Sequence, residues 1–205
     1  MVLSKIAGQQ LGRPGLLLSS TLASLWNHRN ADLNETVLQL LPDPPPGKIL
    51  EVGFGGGYLI SRMIGKYPEA QIAGVDHSRY LVRRLEKHLK KHLKSGRLVL
   101  KCAPAEDLPF PDISFQGICS VNSIFYWDDI PAAVSELRRV LEAGGWLCLC
   151  FTCPESIEDK GFASEIHPVQ AGWVLELLLE AGFIDPDVQD FQDRHRSYVC
   201  LTAKG

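Results

Sequence analysis

The sequence predicts an α/β protein: a mostly parallel sheet with helices on both faces, an antiparallel pair of strands at its C-terminal edge, and a helical N-terminal segment in front. Three observations carry this. From Lys48 onward short apolar runs alternate with helical patterns, which is the signature of crossover-connected parallel strands. Near the end two strand patterns are separated by too few residues to hold a crossover helix, so they pair antiparallel. Finally, the first 46 residues show two helical patterns and no strand, and Pro42-Asp43-Pro44-Pro45-Pro46-Gly47 cuts them off from the rest.

The elements follow in order. Asn30 stands as the capping residue of a helix with Leu33, Val37, Leu38, Leu40 and Leu41 at near-helical spacing and Glu35 in its early turns. Strands are expected at Ile49 to Val52, Ile72 to Val75, Leu98 to Leu100, Phe115 to Val121 and Trp146 to Phe151. Helices are expected between them, near Gly57 to Lys66, Ser78 to Lys94 and Ile130 to Leu141. A helix from about Val169 to Ala181 ends at Gly182, and the strands Asp187 to Phe191 and Ser197 to Ala203 close the chain, seven strands in all.

With 205 residues, 45% of them hydrophobic, the chain suits one domain plus an appendage. Twenty-one Lys and Arg against 24 Asp and Glu give a net charge of −3, without the basic excess of a dedicated nucleic-acid binder, so no nucleic-acid partner is expected. No stretch approaches the roughly 20 apolar residues of a transmembrane helix. At the start, Leu16-Leu17-Leu18 is followed by Ser19, Ser20, Thr21 and Ser24 and preceded by Arg13-Pro14-Gly15, which favours an amphipathic helix over a secretory signal. A cytoplasmic protein is expected, with its six cysteines as small hydrophobes in a reducing compartment. Cys150 and Cys153 form a Cys-x-x-Cys with no second pair and no His at ligand spacing, so no metal site is expected.

The chemistry gathers at Glu51-Val52-Gly53-Phe54-Gly55-Gly56-Gly57, which follows the first strand and opens a helix. Glycines let the backbone turn sharply and bring its N–H groups against a ligand, and the helix start adds partial positive charge. A dinucleotide fingerprint fails because the third glycine position, counted from Gly53 and Gly55, is Tyr58. A Walker loop fails because no Lys-Ser/Thr follows. An acidic strand end beside the glycines suits a ligand with an ammonium and a sulfonium better than a pyrophosphate.

These residues resemble motif I of the class I S-adenosylmethionine (SAM) dependent methyltransferases. The resemblance continues in order through Gly74-Val75-Asp76-His77-Ser78, the Ala105-Glu106-Asp107-Leu108-Pro109-Phe110-Pro111-Asp112 segment, the Leu141-Glu142-Ala143-Gly144-Gly145 turn into strand five, and Ala181-Gly182-Phe183. It covers about residues 48 to 205. It implies a Rossmann-like domain over residues 47–205 with SAM as co-substrate, and the helical patterns in front of it read as a cap or lid over residues 1–46. By the same resemblance Glu51, Gly53, Phe54, Gly55 and Gly57 line the methionine end, and Asp76 accepts the ribose hydroxyls. His77 packs against the adenine ring, Ala105 and Glu106 meet its edge, and Ser120 and Asn122 complete the donor side. Pro104 stands where the family often has an Asp that binds the adenine amino group, which leaves that contact to Glu106 or to main-chain N–H groups. Phe125 stands where relatives commonly have His, and neither the Asn/Asp-Pro-Pro-Tyr motif of base-amino methyltransferases nor the acidic pair of polyamine synthases occurs after strand four.

Blander readings stand beside these. Asp76 could be a helix cap, and Phe125, Tyr126 and Trp127 fit core packing as well as a substrate wall. The basic run from Arg83 to Arg97, with Leu81, Leu85, Leu89 and Leu93 every four residues, reads as the solvated face of an amphipathic helix. No catalytic residue is assigned. His167 and Tyr126 are the candidates, and neither is required, because aligning donor and acceptor supplies much of the acceleration in methyl transfer. The segment Gln9-Gln10-Leu11-Gly12-Arg13-Pro14 has the polar and glycine content of a mobile lid. The resemblance therefore implies a methyltransferase acting on a small molecule, with hydrophobic acceptors of lipid or quinone type among the candidates. The alternative is a SAM-binding or scaffold subunit without turnover; a NAD-dependent reductase stands third.

Overall fold

The computed structural model describes residues 30–42, 47–158 and 168–205. The expected lid hexapeptide, the first N-terminal helix, the Asp43 to Pro46 part of the linker and His167 lie outside them. Among the described residues fifteen elements follow in chain order: α1 (Ala31–Leu40), β1 (Lys48–Val52), α2 (Tyr58–Lys66), β2 (Gln71–Asp76), α3 (Arg79–His88), α4 (Lys90–Lys94), β3 (Leu98–Cys102), β4 (Phe115–Val121), a 3-10 turn (Ile124–Tyr126), α5 (Ile130–Val140), β5 (Leu141–Thr152), α6 (Pro154–Glu158), α7 (Ala171–Glu180), β6 (Ile184–Gln192) and β7 (Ser197–Lys204). The seven strands form one sheet in the order β3-β2-β1-β4-β5-β7-β6. The first five run parallel, and β7 pairs antiparallel with both β5 and β6. Every expected strand is present, including the final antiparallel pair.

Two apolar layers hold the helices to the sheet. On one face Leu33 and Val37 of α1, Leu59, Ile60 and Met63 of α2, and Leu81 and Leu85 of α3 pack over Ile49, Ile72 and Leu98. On the other, Val134 and Leu137 of α5 and Val174 and Leu178 of α7 pack over Leu50, Val75, Ile118 and Leu147. Parallel strands covered on both faces need near-continuous apolar runs, and Ile49, Leu50 and Val52 are each at most 2% exposed. Each such Leu, Ile or Val contributes about 1.5–3 kcal/mol relative to an exposed position. The α1 helix thus belongs to the core that carries the glycine loop. Cys119, Cys148, Cys150 and Cys200 lie buried in the same layer as thiols, while Cys102 is exposed and Cys153 half-buried.

Four local expectations are corrected. The helix expected from Ser78 to Lys94 breaks at Leu89, where Lys87, Lys90, Lys91 and Lys94 crowd like charges at helical spacing. The turn expected at Leu141 to Gly145 is already strand: β5 starts at Leu141 opposite Phe115, and an irregularity between Phe115 and Gly117 absorbs the two glycines. β6 begins at Ile184, three residues early, running through a similar irregularity between Ile184 and Asp187. Asn30 stands at the N-cap of α1 but makes no side-chain cap. Its Oδ1 instead accepts a hydrogen bond from Asn122 Nδ2 at 3.0 Å.

Candidate active site

Strand order reverses at β1, whose neighbours β2 and β4 lead away in opposite directions, and open α/β sheets bind ligands at the carboxyl ends of the strands at such a point. The glycine loop lies there. Gly53, Gly55 and Gly57 all have left-handed backbones, at φ 75°, 51° and 77°. A Cβ on Gly53 would lie 2.2 Å from Ser123 Cβ, and one on Gly57 would lie 2.4 Å from Leu85 Cδ1. Those two glycines therefore serve close packing. A Cβ on Gly55 would meet nothing within 4 Å, so that position opens onto a space a ligand can enter. The loop is held by Gly53 N–H donating to Val75 O at 2.8 Å and Gly57 N–H donating to Phe54 O at 2.8 Å.

Two carboxyl groups flank the loop. Glu51, at the penultimate position of β1, is buried, and its Oε2 has no hydrogen-bond partner. Burial pushes its pKa up to about 8, against the Ile60 N–H, with the Asp76 charge adding to the rise. Asp76 ends β2. Its Oδ2 accepts from Gly55 N–H at 2.9 Å and its Oδ1 from Ser78 N–H at 2.8 Å. Burial pushes Asp76 up as well, opposed by those two N–H groups and by His77. The capping reading of Asp76 does not hold, because Ser78 Oγ caps α3 through Leu81 N–H.

Two buried carboxyl groups, one with an idle oxygen, beside a loop with open space at Gly55 form a donor set that fits a cationic amino-acid ligand. An unpaired buried carboxyl oxygen is costly, and a ligand ammonium or hydroxyl would satisfy it.

The other expected positions divide. The segment after β3 is tied to β2 by Ala103 N–H donating to Asp76 O at 3.2 Å, which brings buried Ala105 to the same rim. His77 is exposed beside Asp76, with Nδ1 3.9 Å from Oδ1. Glu106 Oε1 accepts from Asp129 N–H at 3.0 Å, so this oxygen is tied to the start of α5. The Phe54 ring is buried in the core against Gly74, leaving its backbone to the loop. Ser120 Oγ bonds Ser123 Oγ at 2.5 Å, and Ser123 Oγ donates to Val52 O at 3.0 Å, so both hydroxyls brace the loop from beneath.

Asn122, another of the expected positions, is held by the protein's own hydrogen bonds. It adopts φ 52° and its Oδ1 accepts from Thr152 N–H at 2.9 Å and from Thr152 Oγ1 at 3.2 Å, while Nδ2 reaches Asn30. It ties the ends of β4 and β5 to the start of α1. Phe125 is buried against Phe151 in a T-shaped pair, which is the core reading of that ring. Tyr126 is half-buried, and burial pushes its phenol up to about 12, which keeps it protonated at neutral pH as a hydrogen-bond donor.

Sequence reasoning missed the clamp on the segment after β3. Arg139 donates to Leu108 O at 3.0 Å and Phe110 O at 2.9 Å and pairs with Asp112 and Glu136, while Glu136 Oε2 accepts from Leu108 N–H at 2.8 Å. The i,i+3 spacing of Glu136 and Arg139 was the available signal. Ser123 and Thr152 were missed too, since their roles depend on contacts across strands.

Residues 50–149 match the methyltransferase-domain family. The chain is 30% identical over 165 residues to the O-methyltransferase cnsE of Penicillium expansum, covering 77% of this chain and 59% of that one. It is 31% identical over 108 residues to the ubiquinone/menaquinone biosynthesis C-methyltransferase UbiE of Desulfotalea psychrophila, covering 53% of this chain and 42% of that one. The chain thus spans about half the length of these relatives. In fold it superposes on the solved complex of geranyl diphosphate methyltransferase with GPP and sinefungin with a TM-score of 0.72, at 15% identity, over 85% of this chain and 78% of that one. Residues 50–149 thus form a methyltransferase domain, and the fold is that of solved SAM-dependent methyltransferases.

Proposed function

We propose that the protein transfers the methyl group of SAM to a nucleophilic O, N, S or C atom of a small apolar molecule. The observation that carries this reading is the unpartnered Glu51 Oε2 beneath a glycine loop whose Gly55 faces open space. When bound, SAM supplies an electrophilic methyl group on a positively charged sulfur. Glu51, beside the open space at Gly55, would hold the amino-acid end, and Asp76 the ribose hydroxyls, since each of its oxygens retains acceptor capacity beyond its one N–H bond. His77 and Ala105 would flank the adenine, with Arg139 as the positioning residue that fixes the Leu108 to Asp112 segment.

The S–CH3 bond breaks as the bond to the acceptor forms, the thioether S-adenosylhomocysteine leaves, and a protonated acceptor gives its proton to water; for an electron-rich acceptor, holding the two reactants in line supplies much of the acceleration. An acceptor with a large apolar part is supported by the quinone biosynthesis named for the Desulfotalea relative and by the prenyl chain of the geranyl diphosphate in the solved neighbour. The free thiols among the described residues support a reducing, cytoplasmic setting.

The test is methyl transfer from radiolabelled SAM to a panel of phenols, hydroquinones, fatty acids and prenyl compounds. Labelled product that disappears with Asp76→Ala supports the reading. SAM binding with no product from any acceptor class would favour the scaffold alternative.

A further inference from the structure

The sheet separates charge along its own width. Residues 79–101, which form α3, α4 and the edge strand β3, carry nine Lys or Arg against a single carboxylate, Glu86. Residues 171–193, which form α7 and the opposite edge strand β6, carry six carboxylates and no Lys or Arg. The two edges lie at opposite ends of the strand order in a chain whose net charge is only −3. On the basic edge Arg83, Lys87, Lys90, Lys91, Lys94 and Lys101 are exposed, and none of them forms an ion pair among the described residues. Leu81, Val82 and Leu85 take the apolar side of α3 into the core, so the helix presents charge outward and has no apolar face left to insert.

The solvated-face reading accounts for polarity here. It does not account for the sign, since an ordinary exposed helix interleaves Glu with Lys. A one-signed face of this density repels itself unless a polyanion faces it. We infer that the α3–α4–β3 edge docks electrostatically on an anionic lipid surface, orienting the molecule with its acidic β6 edge away from the bilayer. The choice of lipid over nucleic acid rests on the proposed apolar acceptor, which partitions into membranes. It also rests on the face itself, whose one aromatic residue, Tyr80, is half-buried and offers bases no exposed stacking platform. Polybasic surfaces bind phosphatidylserine-containing leaflets through the summed attraction of individual Lys and Arg residues, and salt weakens them.

The experiment is co-sedimentation of the full chain, without SAM, on vesicles of phosphatidylcholine alone and of phosphatidylcholine with phosphatidylserine. Binding to the phosphatidylserine vesicles is expected to exceed that to the neutral ones by about tenfold or more, and to fall to the neutral level at about 0.5 M salt. The triple variant K87E/K91E/K94E should lose binding while keeping wild-type SAM affinity and wild-type Tm. Were that variant to misfold, the charge swap D187K/D190K on the other edge decides: it should bind no less than wild type. Equal binding to both vesicle types, no binding to either, undiminished binding by the folded triple variant, or weaker binding by D187K/D190K would overturn the inference. So would tighter binding to single-stranded RNA or duplex DNA than to the anionic vesicles at the same salt. Because the assay contains no SAM, these outcomes are independent of whether the methyl-donor site is correct.

Discussion

The two rims of the cleft are built by different rules. On the β1–β2 rim the groups that face the site come from residues close in sequence, the loop at Gly53 to Gly57 and Asp76 just beyond, and the tie between them is one Gly55 N–H to Asp76 bond of 2.9 Å. On the β4–β5 rim the corresponding bonds join Asn30, Asn122 and Thr152, with Arg196 Nη1 reaching Thr152 Oγ1 at 3.3 Å. The first rim leaves a carboxyl oxygen idle, while the Asn122 carbonyl oxygen on the second is taken twice by the protein itself. Idle polar atoms mark the rim prepared for a ligand, and satisfied ones mark the rim that holds the fold together.

The largest expected effect separates two glycines of one loop. Gly53→Ala places a Cβ against Ser123 at φ 75° and should cost about 3 kcal/mol or more of stability, seen as a large drop in Tm. Gly55→Ala meets no atom and should cost only about 1–2 kcal/mol for its positive φ. Its SAM affinity should fall further than its stability, and equal losses of Tm in the two variants would remove the distinction between packing and binding glycines.

Next come the rims themselves. Asp76→Ala should weaken SAM binding by about 1–3 kcal/mol. Asn122→Ala should cost about 1–3 kcal/mol of stability by orphaning the Thr152 donors and keeping a strained backbone. Asn122→Gly relieves the strain without restoring the bonds, so its recovery relative to Ala, read from denaturant midpoints, divides the two contributions. Smallest of all, Arg62→Ala removes an exposed pair with Glu35 and should change stability by at most about 1 kcal/mol.

The Glu51 carboxyl makes the contrast pH-dependent. Its folded pKa of about 8 lies above its ordinary 4.5, so the folded chain holds a proton that the unfolded chain releases between those values. That contribution is fully present below about pH 4.5 and is lost as pH rises toward 8. Glu51→Gln should flatten this loss in thermal melts of the free protein. A Gln variant with the same pH slope as wild type would show that Glu51 is not the group responsible.

The parallel core and the glycine-loop rim were legible in the sequence because their signals are local: apolar runs for strands, glycines at a strand-to-helix turn, and an acidic residue closing the next strand. Asn122, Ser123, Thr152 and Arg139 were not legible in their roles, because each acts on a partner from another strand or helix. The break at Leu89 was hidden for a related reason. A leucine every four residues continues through it, and the apolar period alone does not register the lysines crowding the other side.

The most direct measurement is calorimetric titration of SAM into the full chain near pH 7 in two buffers of different ionisation enthalpy. A cationic ligand seated on Glu51 should bind and release close to one proton, with affinity rising as pH approaches 8. Binding with no proton release, unaltered in Glu51→Gln, would contradict the placement of the sulfonium amino acid against Glu51, and absence of any binding would contradict the donor site as a whole.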